Sequence, residues 1–226
     1  MLQEPVSPSV PAAPRGTIAG IVLVACGALA VFAMAHHPSV VARTPAEAIR
    51  EIGRIGFVNE VVHGAMIGIV AALLFGLTIF SMRRGLRSEA VLGGLIAQTI
   101  GTAAMIVAAT ISGFLVPGIA ARYATASPQG LQFAVQVISI CAEIVQLFSK
   151  VGVIGMTLAI ALWSVDLVRE PRFVRMTGIL GFAAAAFAVA ILLSGAHLTP
   201  QTLGIIVLAQ ALWYAAVGAL LLRRIL

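Results

Sequence analysis

The chain has 226 residues, 61% of them hydrophobic and 10% charged, with a formal net charge of +6 and a mean hydropathy of +1.08. Soluble domains carry about 25% charged residues, so this composition excludes a soluble globular fold and describes an all-α, polytopic integral membrane protein. The positive charge is thirteen arginines and one lysine, with no Gly-rich phosphate loop and no basic patch interleaved with aromatics. That excludes nucleic-acid binding and leaves the charge to orientation and contact with the lipid bilayer. Arginine in place of lysine, with abundant alanine and glycine, points to a bacterial gene and hence to the bacterial cytoplasmic (inner) membrane.

Residues 1–16 hold Pro5, Pro8, Pro11 and Pro14 without apolar periodicity and read as a disordered tail. A single transmembrane domain over 17–226 follows, with apolar stretches at about 17–36, 58–82, 89–117, 131–165, 173–195 and 200–222. Most exceed the roughly 20 residues that cross a hydrocarbon core, which predicts a six-helix transmembrane bundle. Thr44-Pro45-Ala46-Glu47 has the form of a capping box with proline at the first helical position. Ile49, Ile52 and Ile55 then share one side and Arg50, Glu51 and Arg54 the other, so a short amphipathic helix is expected on the outer surface between spans 1 and 2.

Small residues recur every three or four positions in the second span (Gly64, Gly68, Ala72, Gly76), the third (Gly93, Ala97, Gly101) and the fourth (Gly152, Gly155). Such ridges allow close helix approach, within one chain or in a homo-oligomer. Ile111-Ser112-Gly113 before Pro117 also echoes Leu193-Ser194-Gly195 before Pro200, a hint of repeated hairpins. With the N-terminus inside, the cytoplasmic side carries Arg15, Arg83, Arg84, Arg87, Arg169, Arg172, Arg175, Arg223 and Arg224, against Arg43, Arg50, Arg54 and Arg122 outside. The excess of positive charge places both termini in the cytoplasm, and an even number of spans requires the same.

Within the fourth span Gln132, Gln136, Ser139, Glu143, Gln146 and Lys150 are spaced four, three, four, three, four, which sets all six on one side of a helix. Lipid offers them no partner, so the expectation is that the stripe faces a cavity inside the bundle. Glu143 and Lys150 are about 10.5 Å apart along the axis, too far to pair, so each needs another helix, a water or a ligand. Gln98 and Thr102, or Gln210 and Tyr214, are candidates. A Schiff base on Lys150 lacks an intramembrane aspartate beside it.

All four histidines fall on the outer side. His36 and His37 end the first span, His63 lies two turns into the second on a face shared with Glu60, and His197 ends the fifth. Imidazole and carboxylate donors suit a transition metal ion, and the expected site is drawn from His36, His37, Glu60, His63, Glu143 and His197. Glu60-x-x-His63 has the spacing of di-iron bundles, but the second copy reads Glu143-x-x-Gln146 and breaks the pattern. A haem b held by His63 with His197 or His36 is the alternative cofactor. Interfacial histidines also simply reach for water.

Cys26 and Cys141 lie apart in apolar runs, without metal-finger spacing, and read as small core residues. Ala33-Met34-Ala35 after Arg15 imitates a signal-peptide site, whose cleavage would leave His36 as a copper-chelating N-terminus. Three functions are therefore set against one another: a metal or haem site in the outer half of the bilayer with a redox or metal-handling role, a small proton-coupled transporter using the Gln132–Lys150 stripe, and an accessory or scaffold subunit of a larger membrane complex. No enzymatic motif decides between them.

Overall fold

The computed structural model describes residues 16–38, 42 and 44–226. The expected 1–16 tail, apart from Gly16, and Arg43 of the orientation argument lie outside the described residues. The elements run α1 (Thr17–Ala35), α2 (Pro45–Arg54), α3 (Gly56–Arg84), α4 (Glu89–Thr110), a π-helical turn (Ile111–Leu115), α5 (Val116–Tyr123), α6 (Pro128–Leu167), α7 (Arg172–Leu193) and α8 (Pro200–Leu222). With α4 running through the π turn into α5, six helices are long and apolar enough to span a membrane, and no strand occurs among the described residues. The six-helix bundle expected from hydropathy is the fold.

The helices are unequal. Those at Thr17–Ala35, Arg172–Leu193 and Pro200–Leu222 have 19, 22 and 23 residues, whereas Gly56–Arg84, Glu89–Tyr123 and Pro128–Leu167 have 29, 35 and 40. At about 1.5 Å per residue, α6 alone is ~60 Å long, roughly twice a hydrocarbon core. Their register is set at one end, where Arg84 Nε donates to Asp166 Oδ2 at 2.6 Å and Arg84 Nη2 to Glu170 Oε1 at 2.7 Å. Arg83 donates to the Leu226 main-chain oxygen from both Nε (3.0 Å) and Nη2 (2.7 Å). The extra length of the three long helices therefore emerges at the opposite, histidine-bearing end. There the Gln146 side chain brackets Leu198 in the α7–α8 link, its Oε1 accepting from the amide and its Nε2 donating to the carbonyl, both at 3.1 Å. Residues 128–145 of α6 project past that link.

The projection is roofed by α2. Its capping box forms as expected, Thr44 Oγ1 accepting from Glu47 N and Thr44 N donating to Glu47 Oε2, each at 3.2 Å. Ile49 is buried with Ala120 of α5 and Ala134 of α6, while Arg50 and Arg54 are exposed. Toward the arginine end the core is aromatic: Trp163 and Trp213 stack at 5.7 Å with planes 9° apart, and Phe80 meets both edge-on. All three are fully buried, together with Leu23 of α1, Leu77 of α3 and Leu167 of α6.

Glycine makes the closest helix contact possible between α4 and α6. A Cβ on Gly155 would lie 2.8 Å from Gly101 Cα and 2.9 Å from the Ala97 carbonyl oxygen. The expected ridge on α3 is used only in part, since Gly68 meets nothing within 4 Å. The echo between 111–117 and 193–200 is not a structural repeat: Ile111-Ser112-Gly113 continues a helix as a π turn, while Ser194 caps α7 and Gly195 leaves it with φ +72°. Gly155→Val should thus lower stability by about 1–3 kcal/mol through backbone overpacking, whereas Gly68→Ala should be neutral or gain up to about 1 kcal/mol from helix propensity. Thermal unfolding of both variants in one detergent checks the pair.

Candidate functional site

Small side chains keep five helices from closing at the histidine end. Ala30 of α1, Ala108 and Ala109 of α4, Ser149 of α6 and Ala211 of α8 line a cavity of about 380 Å³. Its walls also carry Ile69, Val70 and Leu73 of α3, Val153 of α6, and Leu203, Ile206 and Val207 of α8. No residue of α7 contributes. From His63 to Leu73 the cavity follows α3 for ten residues, ~15 Å, and it ends about two turns short of Phe80 and Trp163. Among the described residues its polar lining is neutral: His37, His63, Ser112, Gln146, Ser149, Thr199, Gln210 and Tyr214, with no carboxylate, thiol or Lys or Arg side chain.

His37 follows the last turn of α1, and His63 is buried on the second turn of α3. The π turn is what admits the His63 ring. A Cβ on Gly113 would overlap His63 Cβ and come within 2.6 Å of its Cγ, so only glycine fits there. Asn59 Nδ2 donates to the Ser112 carbonyl at 2.9 Å and ties the same turn to α3. π turns inside α-helices are frequent at functional sites.

The two imidazoles meet through Nε2, 3.4 Å apart, with ring centroids 5.0 Å apart and planes at 79°. Each Nδ1 is already committed, that of His37 to the Pro38 carbonyl and that of His63 to the Asn59 carbonyl, both at 2.9 Å. A carbonyl oxygen only accepts, so both Nδ1 atoms carry the proton. In the neutral rings both Nε2 atoms are then bare, and two lone pairs face each other. Burial pushes the His37 pKa below its ordinary value, against the opposing pull of the bond to Pro38, which favours the neutral ring. Two facing acceptors repel unless an electrophile stands between them.

The other residues singled out from sequence are not brought to this point. His36 is exposed, its Nδ1 on the Phe32 carbonyl at 3.0 Å and its ring against Phe32. His197 is exposed in the α7–α8 link, and neither it nor Glu60 lines the cavity. Among the described residues no three His, Cys, Asp or Glu side chains converge on one point.

The α6 stripe faces opposite to expectation. Gln132, Gln136, Ser139, Glu143 and Lys150 are exposed, and of the six only Gln146 reaches the cavity. Two causes combine. Four of the five outward residues lie on the projection of α6 beyond the α7–α8 link, where facing outward is not facing the hydrocarbon midplane. Ser139 also satisfies itself by donating to the Val135 carbonyl at 2.9 Å. Lys150 lies one turn below Gln146 with a stem long enough to reach that end.

Sequence reasoning did not pair His37 with His63 and overlooked the methionines. Met34 and Met66 line the cavity beside the histidines, and Met105 and Met156 line it on α4 and α6. The signal was present as Met34 three residues before His37 and Met66 three residues after His63. Comparison of the chain with protein-family models, with curated proteins and with solved structures finds no match.

Nitrogen NMR of histidine-labelled protein should find both His37 and His63 in the Nδ1–H form. Gly113→Ala should shift both signals and cost about 1–3 kcal/mol of stability through overpacking, while alanine at His36 or His197 should leave them in place. Unmoved His63 signals in Gly113→Ala would contradict the contact.

Proposed function

We propose that this multi-pass membrane protein binds a transition metal ion between His37 and His63, at the outer mouth of a one-sided intramembrane cavity, in a metal-handling role. The observation that carries the reading is the pair of facing Nε2 atoms 3.4 Å apart, each ring fixed by a backbone carbonyl on its other nitrogen. Ligating histidines characteristically donate their second N–H in this way, which fixes tautomer and orientation. With metal–nitrogen bonds of about 2.0–2.1 Å, two nitrogens at that separation are close enough for one ion to bridge them. Haem b has less support, because axial imidazoles on opposite faces of a porphyrin need nitrogens about 4 Å apart with a flat slot between them. A through-path for transport also has less support, since the stacked Trp163 and Trp213 with Phe80 lie beneath the cavity.

A second reading, as a subunit of a membrane complex, is favoured by one observation. On α6 the exposed Gln132, Gln136, Glu143 and Lys150 are interleaved with the exposed apolar Phe133, Ile140 and Leu147. Such a mixed face suits another polypeptide better than either water or lipid alone.

Elemental analysis of protein purified without chelators tests the first reading. About one metal ion per chain is expected, falling to background in His37→Ala and in His63→Ala. His36→Ala, His197→Ala and Glu143→Ala should retain it. Protein that stays metal-free after incubation with metal salts, with unchanged melting, would refute the site. A partner retained through purification at fixed stoichiometry and lost in Glu143→Ala would instead support the complex.

A further inference from the structure

We infer that the ion taken by the His37–His63 pair is monovalent copper, with the thioethers of Met34 and Met66 as the further ligands. This rests on the metal-binding reading above and specifies its ion. Two independent features of the cavity carry it.

The first is charge. Among the described residues the cavity wall holds no carboxylate and no thiol; Cys26 and Cys141 are buried elsewhere. Any ion seated there keeps its full charge in surroundings that solvate charge poorly. The solvation cost of an ion rises with the square of its charge, so a divalent ion pays about fourfold more than a monovalent one in the same site. Zinc sites usually offset that cost with the charge of thiolate or carboxylate ligands, or spread it over a third imidazole donor. Here His36 and His197 are exposed and away from the pair. A neutral donor set therefore selects for a single positive charge.

The second is donor softness. Four of the seven methionines in the chain line this one cavity. Met66 follows His63 by three residues and so occupies the same face of α3 one turn deeper. Met34, buried in the last turn of α1, precedes His37 by three and lines the same wall. Methionine is an ordinary gap-filler in cores, and in a closely packed interior four would mean little. These four border the cavity that the two imidazoles face, Met34 and Met66 at the histidine end. Thioether and imidazole together suit monovalent copper, whereas harder divalent ions gain little from sulfur of this kind. Met105 and Met156 extend the same soft donors inward on α4 and α6. Binding requires no change of oxidation state: copper enters and remains monovalent.

The test titrates metal-free protein in detergent, under nitrogen with ascorbate, with monovalent copper buffered by a chromogenic chelator. Zinc is titrated in parallel. One copper per chain is expected, bound far more tightly than zinc, with both sulfur and nitrogen neighbours in the copper X-ray absorption spectrum. Met34→Leu and Met66→Leu, near-isosteric changes, should each weaken copper binding roughly tenfold or more and leave the melting of the metal-free protein unchanged. Should either variant misfold, the sulfur neighbours in the wild-type spectrum still decide. Zinc preferred over copper, or copper with only nitrogen and oxygen neighbours, would overturn the copper assignment while the imidazole site stands. Binding of neither ion would end both.

Discussion

The clamp of Arg84 on Asp166 and Glu170 fixes the register of α3 against α6, and the rest of the architecture follows from that register. Of the two pairs, Arg84–Asp166 is the enclosed one, its side chains 16% and 15% exposed against 38% for Glu170; an enclosed pair gains little net energy over apolar packing but is costly to break. Their value is positional. With the arginine ends aligned, the excess length of α3, of α4 through α5 and of α6 must emerge at the other end. The short α1, α7 and α8 stop beneath it, and the loops that follow them meet the sides of the long helices: Leu198 on Gln146, His37 on His63. The cavity lies where the short helices run out and small residues on the long ones fail to close the gap.

Much of this was legible in the sequence, and the reason differs by feature. The six spans are legible because backbone in lipid must be satisfied internally, which forces long apolar helices. The α2 cap is legible because Thr44, Pro45 and Glu47 carry their own local hydrogen-bonding instructions. The direction of the α6 stripe was not legible. Spacing of four and three shows that Gln132 through Lys150 share a face, but it does not show which neighbour that face meets. In a soluble protein the apolar face would point inward. In a membrane bundle lipid is as apolar as the core, so Leu147 and Ile154 can sit outside without penalty and the pattern loses its sign.

The histidines show the same limit in another form. Grouping His36, His37, His63 and His197 by depth was sound as far as it went, since all lie at one end. Depth does not select pairs. The selection is made by two backbone features that no side-chain pattern announces: the turn after α1, which separates exposed His36 from His37, and the π turn at Gly113, which opens a ring-sized gap for His63. Ile111-Ser112-Gly113 was visible as a motif, but read as a repeat it pointed to Leu193-Ser194-Gly195, which does a different job at the end of α7.

The neutrality of the cavity is the property that ties site to fold. A charged wall could be stable only if each charge found a partner, and the five cavity-lining helices offer no charged side chains there. What the bundle can offer are imidazole, amide, hydroxyl and thioether groups, each cheap enough to desolvate that small apolar neighbours suffice to hold it. Among them the imidazole pair is distinguished by two Nε2 atoms that face each other after the backbone has taken both Nδ1 protons, while the buried Tyr214 hydroxyl beside the cavity also lacks a hydrogen-bond partner among the described residues. On the proposed reading, the repulsion between those acceptors is the cost of presetting the site. An ion bound as proposed would convert it into two ligand bonds without moving a helix, because the Pro38 and Asn59 carbonyls and the Gly113 turn already hold both rings in place. The proposed binding would need little reorganisation of the protein, and its selectivity would come from the charge and softness of what enters.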